Sequence, residues 1–319
     1  MAAQYTPNLN LLKPGTDDNI GVESSLSENF QNIDDKVGNS LKDHKNKTWE
    51  TLGERLNAEA TAQDATDAAV KVLETQLPNA VLDDGFIRAI VNRGASSQAP
   101  ENTLPAFRWA VDMGFWGIYT SVQMTSTGAW VCIHDTTVDR TSNGTGAVSS
   151  KTLGDLNALD FGSWYSVQYK DTKIATVQLF LQTCRLGGVV PYIEIKGGSY
   201  TDVQIEGLLN IIKSYGFANG CAVTSYNLDY LKKVRLYDKT IALGLMTSDF
   251  TQTNVNDVKA LGNAFISAAG SKITSATMAM AKGLRVEAFT INSNNDLRNY
   301  IKLGVRAAMT TRIPFGRGY

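Results

Sequence analysis

Three short stretches of this chain hold side chains that could hold an anion or move a proton: NRG at 92–94, IHD at 133–135 and EIK at 194–196. Arg93 and Lys196 are a cationic pair which, placed at strand ends, makes a reasonable anion socket with or without a metal. His134, followed by Asp135, is the acid–base candidate, and the only other histidine is His44, far upstream. Glu194 is one carboxylate, a poor basis for holding a hard cation, which depends on several charged oxygen ligands. Asn92 has a donor and an acceptor but cannot shuttle a proton near neutral pH. Plainer readings stand beside these: a hydrogen-bonded histidine without a role, and a Glu194–Lys196 salt bridge.

From residue 85 onward the pattern alternates. β-rich runs occur at FIRAIVN, GFWGIYTSV, AWVCIHD, VVPYIEIK, GCAVTSY, TIALGLMT, NAFISAA, LRVEAFTIN and VRAAMTT. Helical segments separate many of them: LPAFRWAVDMG, TVQLFLQTCRLG, DVQIEGLLNIIKSYG, LDYLKKVRLYD, ITSATMAMAKG and NNDLRNYIKLG. Gly114, Gly187, Gly216, Gly283 and Gly304 end several of these as C-terminal caps would. Such alternation over 85–319 predicts an α/β fold, a (β/α)8 TIM barrel, whose usual size is about 250 residues. An open doubly wound sheet is the alternative, but its phosphate-binding glycine fingerprint is absent.

The first eighty residues are written differently. Residues 1–24, with Pro7 and Pro14, predict an extended arm. Ser25 and Glu28 form a capping box, followed by an apolar stripe of Leu26, Phe30, Ile33 and Val37. Trp49, Leu52, Leu56, Glu59, Gln63, Thr66, Val70, Leu73 and Leu77 continue as a heptad seam with a polar middle. Residues 25–80 therefore predict either one amphipathic helix against its own domain or a self-associating coiled-coil stalk. The stalk is preferred, because a domain of ordinary size follows and needs no such helix.

Composition excludes some partners. A formal net charge of -1 with 19% charged residues gives no basic face for nucleic acid, and no run of about 20 apolar residues suggests a membrane span. The opening MAAQYTPNLNLLKPG lacks a basic start followed by an apolar stretch, so no secretory leader is expected there. Cys132, Cys184 and Cys221, odd in number and far apart, are expected as reduced core thiols.

NRGASSQAPENTLPAF, IHD, RTSNGTG (140–146) and PYIEIK, in that order, resemble the glycerophosphodiester phosphodiesterase family. The resemblance implies a TIM barrel with its site at the C-terminal strand ends. It also implies a divalent cation, usually calcium, on three carboxylates, and two histidines as acid and base on a glycerol phosphodiester. Arg93 and Lys196 match its phosphate-contacting cations, and His134, Asp135 and Glu194 match retained positions. The departures fall on the chemistry: Asn92 stands at the first histidine, and Tyr119 and Ser121 at two metal-binding carboxylates. Thr311 stands at a further aspartate and Phe289 at a tryptophan. PENT, with Asn102 or Thr103 as helix cap and Pro105 in the first turn, and RTSNGTG read as structural. Were a lost base and a lost cation each to cost about 10³, the barrier would rise by roughly 8 kcal/mol, an upper guide. The expectation is an impaired barrel needing no metal, or calcium if it is active.

The arm, YTPNLNLLKPGTDDNIGVESSLSENFQNIDDKVG, is similar to the starts of tail appendage and receptor-binding proteins of phages of Gram-positive bacteria. That resemblance implies a virion tail protein, assembled in the host cytoplasm. Its arm would dock to other tail proteins, and its stalk would make a homo-oligomer, often a trimer. Its barrel would meet a teichoic-acid-like polymer of glycerol or ribitol phosphodiesters. A working depolymerase and a purely structural tail component are the alternatives.

Overall fold

Strand period decides which side chains can meet. In the computed structural model, which describes residues 87–312, β1 (Arg88–Asn92), β2 (Gly117–Met124), β4 (Val190–Ile195), β5 (Ala222–Ser225), β6 (Ala242–Thr247), β7 (Ala264–Ala269), β8 (Arg285–Phe289) and β9 (Ala307–Thr310) run parallel in that order. β1 pairs with both β2 (Ile90 opposite Gly117) and β9 (Ile90 opposite Met309), so the sheet closes on itself. The fold is the predicted eight-stranded TIM barrel. The proposed arm and stalk, with His44, lie outside the described residues.

Eight α-helices are seen among the described residues: α1 (Leu104–Asp112), α2 (Leu153–Ala158), α3 (Val177–Gly187), α4 (Asp202–Ser214), α5 (Leu228–Tyr237), α6 (Gln252–Leu261), α7 (Ser275–Met280) and α8 (Asn294–Lys302). Two of them, α2 and α6, were not read from the sequence. Only Leu156 is buried in α2, and α6 buries just Val255, Val258 and Leu261, so neither shows a broad apolar stripe. Their signal lies in the caps, Thr152 with Asp155 and Thr251 with Asn254, which satisfy orphan amides reciprocally without the usual Glu or Gln.

Side chains alternate across each strand. Ile90, Tyr119, Tyr192, Met246, Phe265 and Met309 fill the barrel interior. Their neighbours Val91, Ile118 and Ile193 face outward, in one core with Phe107 and Phe180 of α1 and α3. Gly244 is small because an added Cβ would lie 2.5 Å from the Phe265 ring. All three cysteines are free and buried.

The segment AWVCIHD is not a barrel stave. Its strand, β3 (Trp130–Cys132), runs antiparallel to β2 and brings the chain back to the mouth, where Ile133 N donates to Ser121 O (2.8 Å). Residues 133–176 then form a small excursion around their own core of Val138, Val148, Leu156, Phe161 and Ile174.

Two cap assignments need correction. Gly187 is the last residue of α3, and the left-handed cap is Gly188 (φ 62°). Gly187 is instead where α3 meets α1, since a Cβ there would lie 2.5 Å from Val111. Thr103 holds the N-cap position of α1 but its hydroxyl donates to Pro100 O (2.5 Å), while Asn102 (φ 56°) accepts from Thr120 Oγ1 (2.9 Å).

Candidate functional site

Period two carries the sequence-selected residues to one place. Asn92, Tyr119, Ser121, Glu194 and Phe289 share inward parity with Ile90, Tyr192 and Arg285 on their strands, at or near the C-terminal ends. Lys196 continues that parity just past β4. The mouth of the barrel is therefore the candidate site, in keeping with the side on which such barrels carry function.

Arg93 follows β1 with φ 58°, and Gly94 with φ 75°. The turn is tight: a Cβ on Gly94 would lie 2.7 Å from Ala106 Cβ and 2.8 Å from its backbone carbon. Asn102 N donates to Arg93 O (2.8 Å), closing the loop that returns to α1. Arg93 Nη1 then reaches Glu101 Oε1 at 3.0 Å.

Glu101 also takes Arg140, by Nη2 to Oε1 (2.8 Å) and Nη1 to Oε2 (3.1 Å). Arg140 Nε donates to Asp135 Oδ2 (2.6 Å), and Asp135 Oδ1 lies 2.7 Å from His134 Nδ1. A chain of charges thus runs from Arg93 through Glu101, Arg140 and Asp135 to His134. Neither Glu101 nor Arg140 was singled out from sequence as a site residue, since both lie in turn-rich motifs that read as structural. The available signal was charge: an arginine and a glutamate kept within otherwise small, polar loops. Gln123, also missed, donates from Nε2 to the carbonyls of His134 (3.0 Å) and Asp135 (2.5 Å) and so holds the histidine loop over β2.

The electrostatics follow from these contacts. The hydrogen bond from Arg140, with help from His134, holds the Asp135 carboxyl well below the usual carboxylate range. Burial opposes ionisation of Glu101, but the guanidiniums of Arg140 and Arg93 outweigh it and keep it charged. Burial lowers the His134 imidazole below its ordinary 6.5, and although Asp135 opposes this, Arg93 and Lys196 add to it. His134 is therefore neutral at pH 7. Its Nδ1 carries the proton toward ionised Asp135, which leaves the Nε2 lone pair to accept.

Across the mouth, Lys196 Nζ lies 3.3 Å from Glu194 Oε1, the salt bridge foreseen as the plain reading of that pair. Ser121 Oγ donates to Glu194 Oε2 (2.7 Å). Lys196 also lies 5.7 Å from the centre of the Tyr226 ring, and Tyr226 meets Phe289 edge-on at 6.2 Å. Tyr119 is buried below, its hydroxyl donating to Met246 Sδ (3.2 Å), and burial together with Glu194 raises its pKa well above 10.0. Thr311 is turned to Asn292, whose Oδ1 accepts from its amide (3.0 Å) and hydroxyl (3.2 Å). Arg93, His134, Asp135, Glu194 and Lys196 are thus brought together, with Tyr119 buried beneath Glu194, whereas Thr311 is engaged with Asn292.

The donor set does not fit the family's divalent cation. Among the described residues no three His, Cys, Asp or Glu side chains cluster as metal ligands would. Glu194 already faces Ser121 and Lys196, and the Tyr119 phenol stays protonated in its buried position.

The pattern of the Glycerophosphoryl diester phosphodiesterase family matches residues 93–314, well over half of the chain. The chain belongs to this family. A glycerophosphodiester phosphodiesterase of Caldanaerobacter subterraneus subsp. tengcongensis is 35% identical over 159 residues, 49% of this chain and 65% of that protein's length. The Bacillus subtilis (strain 168) homologue YhdW is 31% identical over 229 residues, 69% of this chain and 93% of its own length. Among solved structures, an Oleispira antarctica phosphodiesterase in complex with its product sn-glycerol-3-phosphate superposes with a TM-score of 0.68 at 25% identity. That match covers 71% of this chain and 93% of the enzyme. Family membership accords with the eight-stranded barrel.

Proposed function

We propose that the barrel mouth is a binding site for a phosphodiester polymer and that its hydrolytic chemistry is impaired. The observation that carries this reading is that Arg93 and Lys196 both act on His134, while the inward carboxylate at the mouth, Glu194, is tied to Ser121 and Lys196. Two fixed cations and a neutral imidazole hold an anion well. Cleaving a diester also needs a second proton-transfer group, and Asn92 occupies the place where the family has one. The site needs no metal on this reading.

The N-terminal resemblance supplies the setting: a phage tail appendage of receptor-binding type. It is joined to other tail proteins through residues 1–24, oligomerises through residues 25–80 and meets a teichoic-acid-like wall polymer. Retention on immobilised wall teichoic acid by the full chain, lost on Arg93→Ala with Lys196→Ala, is the expected result. Equal retention by wild type and variant would refute the mouth as the binding site.

One observation favours a second reading, residual turnover. The His134–Asp135 pair is oriented as a general base, with Nε2 free to accept a proton. Release of glycerol phosphate by pure protein, abolished by His134→Ala, would establish hydrolysis. Normal adsorption by virions lacking residues 85–319 would instead support a structural tail role.

A further inference from the structure

The excursion between β3 and α3 carries a row of aromatic side chains that the anion site does not use. Trp164 and Tyr165 meet edge-on with ring centres 5.7 Å apart, and Tyr165 and Tyr169 repeat that spacing. Trp164 is 39% exposed, and Val167, three residues on, is 80% exposed. A contiguous exposed apolar patch, unlike a single exposed side chain, marks a contact surface.

The row is fixed in place. Trp164 Nε1 donates to Phe161 O (2.9 Å), and the Tyr169 hydroxyl donates to Gln98 O (2.6 Å). Gln98 belongs to the loop that follows Arg93, its amide bonded to Ala95 O (2.8 Å). Tyr169, at one end of the row, thus touches the loop that follows Arg93 at the mouth. A polymer seated with one phosphate at Arg93 must leave the barrel over some part of its rim.

We infer that Trp164, Tyr165 and Tyr169 form a second subsite that takes a pyranose ring carried on the phosphodiester polymer. The occupant follows from shape. A pyranose presents several C–H groups on one flat face, which an indole or phenol covers while the sugar hydroxyls stay in water. An acyclic polyol chain has no such face and gains less. The inference deepens the phosphodiester reading and rests on it for the polymer, while the sugar preference can be read separately.

The test compares poly(glycerol phosphate) bearing hexosyl groups with the same polymer after glycosidase treatment, by surface plasmon resonance on the full chain. Wild type is expected to bind the glycosylated form about tenfold more tightly, the effect of ~1.4 kcal/mol. Trp164→Ala should lose that preference and leave affinity for the bare polymer unchanged. Trp164→Phe, which keeps a ring and is the safer fold, should retain part of it. Tryptophan emission should change on adding the glycosylated polymer to wild type but not to Trp164→Phe. An array of neutral hexose oligosaccharides separates the two readings. Trp164-dependent binding there, without binding of either polymer, would refute the phosphodiester reading and keep the sugar subsite. Equal affinity for glycosylated and bare polymer, with no array binding, would overturn the sugar subsite.

Discussion

Glu101 and Arg140, 39 residues apart in the chain, are joined by two hydrogen bonds, Nη1 to Oε2 at 3.1 Å and Nη2 to Oε1 at 2.8 Å. Such a two-pronged pair fixes direction as well as distance. Because Glu101 also holds Arg93 and Arg140 also holds Asp135, Arg93 and His134 are positioned through one carboxylate.

Glu101→Gln should therefore disturb more than one contact. Glu101 is only 12% exposed, so its loss leaves two guanidiniums close together with no negative partner between them. A loss of about 2–4 kcal/mol in urea unfolding is expected, near the range for breaking a buried pair. Arg140→Lys keeps the charge but not the fork, and should fall between wild type and Glu101→Gln. A Glu101→Gln variant as stable as wild type would contradict the linkage.

Gly94→Ala should be among the costlier small substitutions. Its φ of 75° disfavours a side chain, and the new Cβ would meet Ala106 backbone that cannot rotate away. The expected cost is about 1–3 kcal/mol in the free energy of urea unfolding, with weaker anion binding because Arg93 is the adjacent residue.

Anion affinity should rise as pH falls through the His134 transition, which lies below 6.5. Protonation there adds a third positive charge beside Arg93 and Lys196. Stability runs the opposite way. The folded His134 binds its proton less readily than the unfolded chain, so stability declines as pH drops below 6.5. Asp135 and Glu101, whose folded pKa values lie below 3.8 and 4.5, contribute stability that is present above those values and is lost on further acidification. Isothermal titration between pH 5.5 and 7.5 with a glycerol phosphate oligomer reads the first effect, and His134→Gln should flatten it.

Tyr119→Glu with Ser121→Asp should create the carboxylate cluster this mouth lacks. Both positions point inward beside Glu194, and Ser121 pairs with it in register. Without cation the double variant should melt lower than wild type, from carboxylate repulsion. Calcium at 100 times its Kd should restore about 2.7 kcal/mol, whereas wild-type melting should not respond to calcium.

Strand–helix alternation, the Glu194–Lys196 salt bridge as a plain reading, and the three buried cysteines were legible in the residues alone. So was the membership that NRG, IHD and EIK announce in order. Each depends on spacing along a single segment, and a period of two or 3.6 is written in the chain itself. The antiparallel course of β3, the role of Gly188 in place of Gly187, and the polar helices α2 and α6 were not. Nor was the joining of Glu101 to Arg140, or of Tyr169 to the loop beyond Arg93. These depend on where two loops of different length end in space, which only closure of the barrel decides. A hydrogen bond acts over about 3 Å, and no local pattern says which distant segment will arrive within it.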